Sequence, residues 1–165
     1  VISQFSKMLG NLVSILDKAD AYAQANKFDM EVLLQARLSP NQFNLTRQIQ
    51  VACDTAKLAA ARLADKEQDA PTHVDTETNL VELKARLQSV IDYLQTFQAA
   101  DFDDAAQRRI SQPRWKGKSL SGEEFLIQHA IPNLYFHVTT AYAILRHNGV
   151  AVGKMDYLGA LPFKE

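Results

Sequence analysis

The chain has 165 residues, 47% of them hydrophobic and 22% charged, with a formal net charge of -1. That length suits a single domain over residues 1–165 with a substantial core. The near balance of charge, without a long basic run, gives no electrostatic reason to expect nucleic acid or an anionic membrane as partner. The lone cysteine, Cys53, excludes an internal disulfide and a thiol-rich zinc site.

The first predicted element is a helix over roughly residues 3–25. Phe5, Met8, Leu9, Leu12, Ile15, Leu16, Ala19 and Ala23 recur at three- and four-residue intervals and form one apolar stripe. A shorter helical turn is expected around 30–37. The next long helix has a start signal at Ser39-Pro40 with Gln42 behind it, a capping-box pattern with proline at the first helical position. It is expected to run to about Ala64, with Leu45, Ile49, Ala52, Ala56, Ala59 and Leu63 inward. Cys53 flanks that face and reads as a small core residue. A third helix is expected from Asp75 or Thr76 to about Ala99, its stripe carried by Leu80, Leu83, Leu87, Val90, Ile91, Leu94 and Phe97. The stretch 101–113 is polar and irregular, and no segment reads as a strand. Trp115, between Arg114 and Lys116, sits in a basic loop that could cover a bundle end or offer a binding surface.

A second capping box, Ser121-Gly122-Glu123-Glu124, opens the last long helix, which ends near Asn148-Gly149. Pro132 interrupts it. A proline inside a helix removes a hydrogen bond and costs about 3 kcal/mol unless the helix bends or splits there. The tail beyond Gly149 reads as a loop packed on the bundle. Four long amphipathic helices make an all-α four-helix bundle the expected fold, with a kinked last helix. No uncharged segment is long enough to span a bilayer. The sequence, beginning at Val1, shows neither the basic nor the apolar region of a signal peptide. A cytoplasmic location is therefore expected.

His137 is the residue with most chemical content. At about 100° per residue it falls inside the apolar stripe of the last helix, with Asn133 one turn earlier at the stripe's edge. A buried imidazole needs a hydrogen-bonding partner or a metal. Asn133, Gln48 and a backbone carbonyl are the protein partners open to it. On the second long helix Gln48 lies about 60° from the core stripe's centre, and Asp54 nearly opposite that stripe. Gln48 is thus the expected pocket residue, and Asp54 the better ligand chemically but in a solvated position, with Lys57 one turn on. Arg47 and Gln50 read as surface residues, His129 and His147 as exposed or rim residues, and His73 as a loop residue. Tyr142 can offer a hydroxyl to a pocket or to a dimer interface.

Several stretches together resemble the DinB/YfiT-like superfamily of metalloenzyme-type four-helix bundles, and within it a domain family of unknown function. They are Ala36-Arg37-Leu38-Ser39-Pro40, the run from Arg47 to Lys57, Pro132-Asn133-Leu134-Tyr135-Phe136-His137, the run from Ala141 to Val150, and Gly153-Lys154. The resemblance implies a bundle that can hold a divalent metal, nickel or zinc, on a histidine pair of the last helix and a third histidine of the second. It also implies a homodimer and, in some relatives, thiol-dependent transferase or isomerase activity. His137 matches the second histidine of the pair by its distance to Leu145-Arg146 and Gly149. The first position is Asn133, and the second long helix has no histidine. Amide oxygen is a far weaker ligand for these metals than imidazole, so the three-histidine site cannot form. The expectation is a degenerate metal site in a bundle that binds a small ligand between its helices, through His137, Asn133, Gln48 and Tyr142. The alternatives are a divergent metal-dependent enzyme using His137 and Asp54, and a non-catalytic structural dimer.

Overall fold

The computed structural model describes residues 1–165. Four long helices make the bundle: α1 (Ile2–Ala25), α3 (Leu45–Leu63), α4 (Leu80–Gln95) and α6 (Ile131–His147). Short helices α2 (Met30–Leu34), α5 (Gly122–Phe125) and α7 (Lys154–Leu158) complete the set. Helix α3 packs against α6 on one side and α4 on the other, and α1 packs against α4 and α6. This leaves α4 and α6 across a diagonal. The eight residues of the stripe expected on α1 are all buried. They belong to one continuous cluster of 33 buried hydrophobic residues, to which the six inward residues named for α3 also belong. The small alanine side chains of α3 let its neighbours approach closely.

Two helix starts differ from the sequence expectation. Helix α3 begins after Asn44, whose side chain accepts from the backbone N–H of Arg47 at 2.9 Å. Ser39-Pro40 forms a turn instead, closed by the Gln42 N–H donating to the Ser39 carbonyl at 3.0 Å. Proline's fixed φ suits the first position of a helix and the second position of a turn equally well, so local sequence could not separate them. Helix α4 begins after Asn79, which accepts from the Glu82 N–H at 2.9 Å. The residues expected to cap it lie outside the helix, and Asp75 bonds two arginines. The helix also ends at Gln95 rather than near Ala99.

The capping box at Ser121 forms as expected, with Ser121 and Glu124 exchanging hydrogen bonds. Its Gly122 is sterically required: a Cβ there would stand 1.7 Å from the Ala105 carbonyl oxygen. Pro132 is accommodated by a π-helical stretch over Leu126–Ala130. Proline cannot donate to the carbonyl four residues back, and the wider turn takes up the mismatch. Helix α6 ends in a Schellman arrangement: Val150 N–H donates to Leu145 O, Gly149 N–H donates to Arg146 O, and Gly149 adopts φ +96°.

A two-residue antiparallel ribbon pairs β1 (Arg109–Ile110) with β2 (Leu120–Ser121), in a stretch read from the sequence as irregular. Its hydrogen bonds and a tight turn at Lys116-Gly117, both with positive φ, close the segment 111–119 on itself, and Trp115 packs that segment against the core. The tail packs on α1 as expected, but through a helix, α7. No helix is long and apolar enough to cross a membrane.

Candidate functional site

A cleft of about 460 Å³ opens between α3, α6 and the segment 112–114 that the ribbon holds. Along α3 it is lined by Arg47, Val51, Asp54, Thr55, Leu58 and Arg62, one face at helical spacing. Phe125, His129, Asn133 and His137 line it from the other side, each four residues from the last. In a uniform α-helix that spacing drifts round the axis. The π-helical stretch widens the turn between Phe125 and Ile131 and keeps His129 in line with Asn133 and His137. This is why the constant 100° step left His129 off the site.

His137 is 7% exposed and Gln48 fully buried. Their contact, Nδ1 to Oε1 at 2.7 Å, is the partner the buried imidazole required. The Gln48 amide nitrogen donates to the Phe43 carbonyl at 3.3 Å, which fixes Oε1 as the acceptor. His137 therefore carries its proton on Nδ1 and leaves Nε2 as a lone-pair acceptor. Burial, reinforced by the nearby Arg47 charge, lowers its pKa to about 4, so the ring is neutral at physiological pH. Asn133 turns its amide to the Thr55 hydroxyl at 3.1 Å instead of to His137. Gln48 supports His137 from behind and does not itself line the cleft. Tyr142 is not brought to the cleft: its ring meets Tyr157 edge-on at 6.1 Å, beside α7.

Three lining residues escaped the sequence reading. Gln112 is 8% exposed, and its buried amide nitrogen has no hydrogen-bond partner. Arg114 donates to His129 Nε2 at 3.3 Å and touches no carboxylate. Because a guanidinium can only donate, His129 Nε2 must accept, and the proton of the neutral ring sits on Nδ1. That Nδ1 is also buried and unpartnered. His129 stacks on Phe125 with centroids 5.4 Å apart, and Trp115 meets both rings. Burial first, then Arg114 and Arg62, lower its pKa. Only the basic character around Trp115 hinted at this wall.

The opposite flank of α3 is a densely paired ion network. Arg86, 3% exposed, donates to Asp75 at 2.8 Å, Glu77 at 3.0 Å and Asp54 at 3.0 Å. Burial pushes the Asp75 and Glu77 carboxyls up. Hydrogen bonds, from Arg86 to both and within the Glu77 backbone, outweigh it, and both lie below the usual range. Gln50 donates to Glu77, and Arg47 bridges to Asp75. Gln50 is thus buried rather than on the surface, because the segment before α4 folds back over this face of α3. Lys57 sits between Asp54 and His73 Nδ1, each at 3.0 Å. A lysine donating to Nδ1 leaves the His73 proton on Nε2, where it donates to Ser89 Oγ at 3.0 Å. That polarity is the reverse of what a serine nucleophile needs. Cys53 is buried in α3, and burial pushes its thiol up to about 12.

As a metal site the residues fit poorly. No three His, Cys, Asp or Glu side chains lie together in a way that could hold an ion. Asp54 Oδ1 is already shared by Arg86 and Lys57, and the Arg47 charge that depresses the His137 pKa would equally oppose a dication.

The fold and this histidine-bearing cleft define an all-α bundle of the DinB type. A crystal structure of a DinB family member protein from Shewanella denitrificans superposes with a TM-score of 0.97 at 61% identity, over 100% of this chain and 93% of that one. Residues 1–158 match the family described as Domain of unknown function (DUF1993), and the chain belongs to that family. No curated protein matches it.

Proposed function

We propose that this protein binds a small organic molecule in the cleft between α3 and α6, and that its ancestral metal centre has become a ligand pocket. The observation that supports this is His137: a neutral ring, locked by Gln48, with Nε2 left as an acceptor on a cleft large enough for a small ligand. A ligand hydroxyl or amide N–H would donate to that nitrogen, while Phe43, Val51, Leu58 and Phe125 enclose an apolar body.

The competing reading is a divergent metal-dependent transferase or isomerase built on His137 and Asp54. Titration of nickel or zinc into untagged protein separates the two. We expect no stoichiometric site that depends on His137. One equivalent of metal, bound by the wild type and lost in His137→Ala while the fold persists, overturns the ligand-pocket reading.

A further inference from the structure

The donors on the cleft wall specify more than a generic ligand. Of the three arginines that line it, Arg47 is paired with Asp75 at 2.6 Å and Arg62 with Glu67 at 2.9 Å. Arg114 alone has no carboxylate. The cleft's one carboxylate, Asp54, is already compensated by Arg86 and Lys57. Burial and nearby arginine charge favour the neutral form of both cleft histidines. The wall is therefore left with one uncompensated positive charge. Two other lining residues, Gln112 and His129, carry orphaned and shielded hydrogen-bond donors, the Gln112 amide and His129 Nδ1–H, which a turn of the side chain would bring to a ligand. An orphaned buried donor costs free energy unless something outside the protein accepts from it.

We propose that the ligand is a small monocarboxylate with an apolar or aromatic body, its carboxylate taken by Arg114 and Gln112, with His129 as a further donor on the same wall. This rests on the cleft being the binding site. A carboxylate brings one negative charge to one free guanidinium and two acceptor oxygens to donors that lack partners. Neutral amides and imidazoles beside a single free cation suit a phosphate dianion less well. The apolar faces of Phe43, Val51, Leu58, Pro113 and Phe125 leave room for the body of the molecule.

The test titrates full-length protein with benzoate, its neutral isostere benzamide, and inorganic phosphate, read by calorimetry and by NMR of the His129 and His137 side chains. Benzoate is expected to bind with a Kd of about 1 mM or tighter, to raise the His129 pKa, and to exceed benzamide at least about tenfold. Arg114→Met is expected to weaken benzoate about tenfold or more. Gln112→Leu is expected to weaken benzoate several-fold without lowering Tm, an outcome a merely structural glutamine would not give. Benzamide or phosphate matching benzoate, an unchanged Kd in both variants, or no benzoate binding overturns the carboxylate assignment. The benzoate–benzamide comparison needs no variant to fold. If benzamide moves the His137 ring and benzoate does no better, the carboxylate falls while the cleft remains a ligand site. A His137-dependent stoichiometric metal site overturns the cleft reading itself.

Discussion

The two flanks of α3 carry similar side chains in opposite states. On the α4 side, Arg86 stands among Asp54, Asp75 and Glu77, with Lys57, Arg47 and Gln50 completing the set; three cations face three carboxylates, and only Arg86 Nε lacks a partner. On the α6 side, Arg114, Gln112, His129 and His137 keep donors and an acceptor that no protein group uses. A network with its groups paired holds a structure together and has little left to offer a ligand. A cleft with partners missing has capacity to bind. The difference separates a structural ion cluster from a candidate site, although charge content alone would favour the former as the functional centre.

The sharpest way to break this comparison is at Arg86. Replacing it with leucine leaves three carboxylates around a vacated, buried position. Loss of one partner from a buried ion cluster costs about 3–5 kcal/mol, so urea unfolding of Arg86→Leu should show a loss in that range, with the cleft intact in any protein that remains folded. A loss below about 1 kcal/mol would mean the network is not structural.

The next effect is acid sensitivity through His137. Its folded pKa of about 4 lies below the ordinary histidine value of 6.5. Folding therefore favours the neutral ring. That contribution is fully present above pH 6.5 and is lost as pH falls from 6.5 toward 4, by about 3 kcal/mol in all. The network carboxylates add their own loss in the more acidic range, since their depressed values favour the charged form. The difference between wild type and His137→Leu, followed by unfolding from pH 7 to pH 4, isolates the histidine. Parallel curves would rule out a depressed pKa.

The smallest expected effect lies outside both regions. Lys84 reaches Asp17 across the surface between α4 and α1 at 2.5 Å, with both side chains solvated. Lys84→Ala should change stability by less than about 1 kcal/mol, and less still in high salt. A larger change would show that exposed pairs in this bundle resemble the Arg86 cluster more than the comparison allows.

Much of the bundle was legible in the chain. Helical periodicity selected the stripe of α1 and the inward face of α3, because burial of apolar surface dominates where a side chain points. His137 was legible for the same reason; helical phase placed Gln48 near the pocket, and the structure selected it over Asn133 and a backbone carbonyl as the partner of His137. The Ser39 and Asp75 starts were misread because several residues nearby could cap, and tertiary contacts chose among them. His129 was hidden by the π-helical stretch, which changes the angular step that sequence reading holds constant.

A helical bundle and a core-facing His137 were written in the chain, through side-chain volume, polarity and spacing along one helix at a time. That the three-histidine site is lost came from the resemblance to DinB-type bundles, set against Asn133 and a second long helix without histidine. Only the tertiary structure decided that Asp54 belongs to an ion cluster, that Tyr142 faces α7, and that Gln112, Arg114 and His129 form one wall of the cleft. Those residues lie on separate segments, joined by a two-residue ribbon and a wide helical turn. Hydrogen bonds between distant groups depend on three-dimensional distance and on which competing partner is nearer, and neither is written in local spacing.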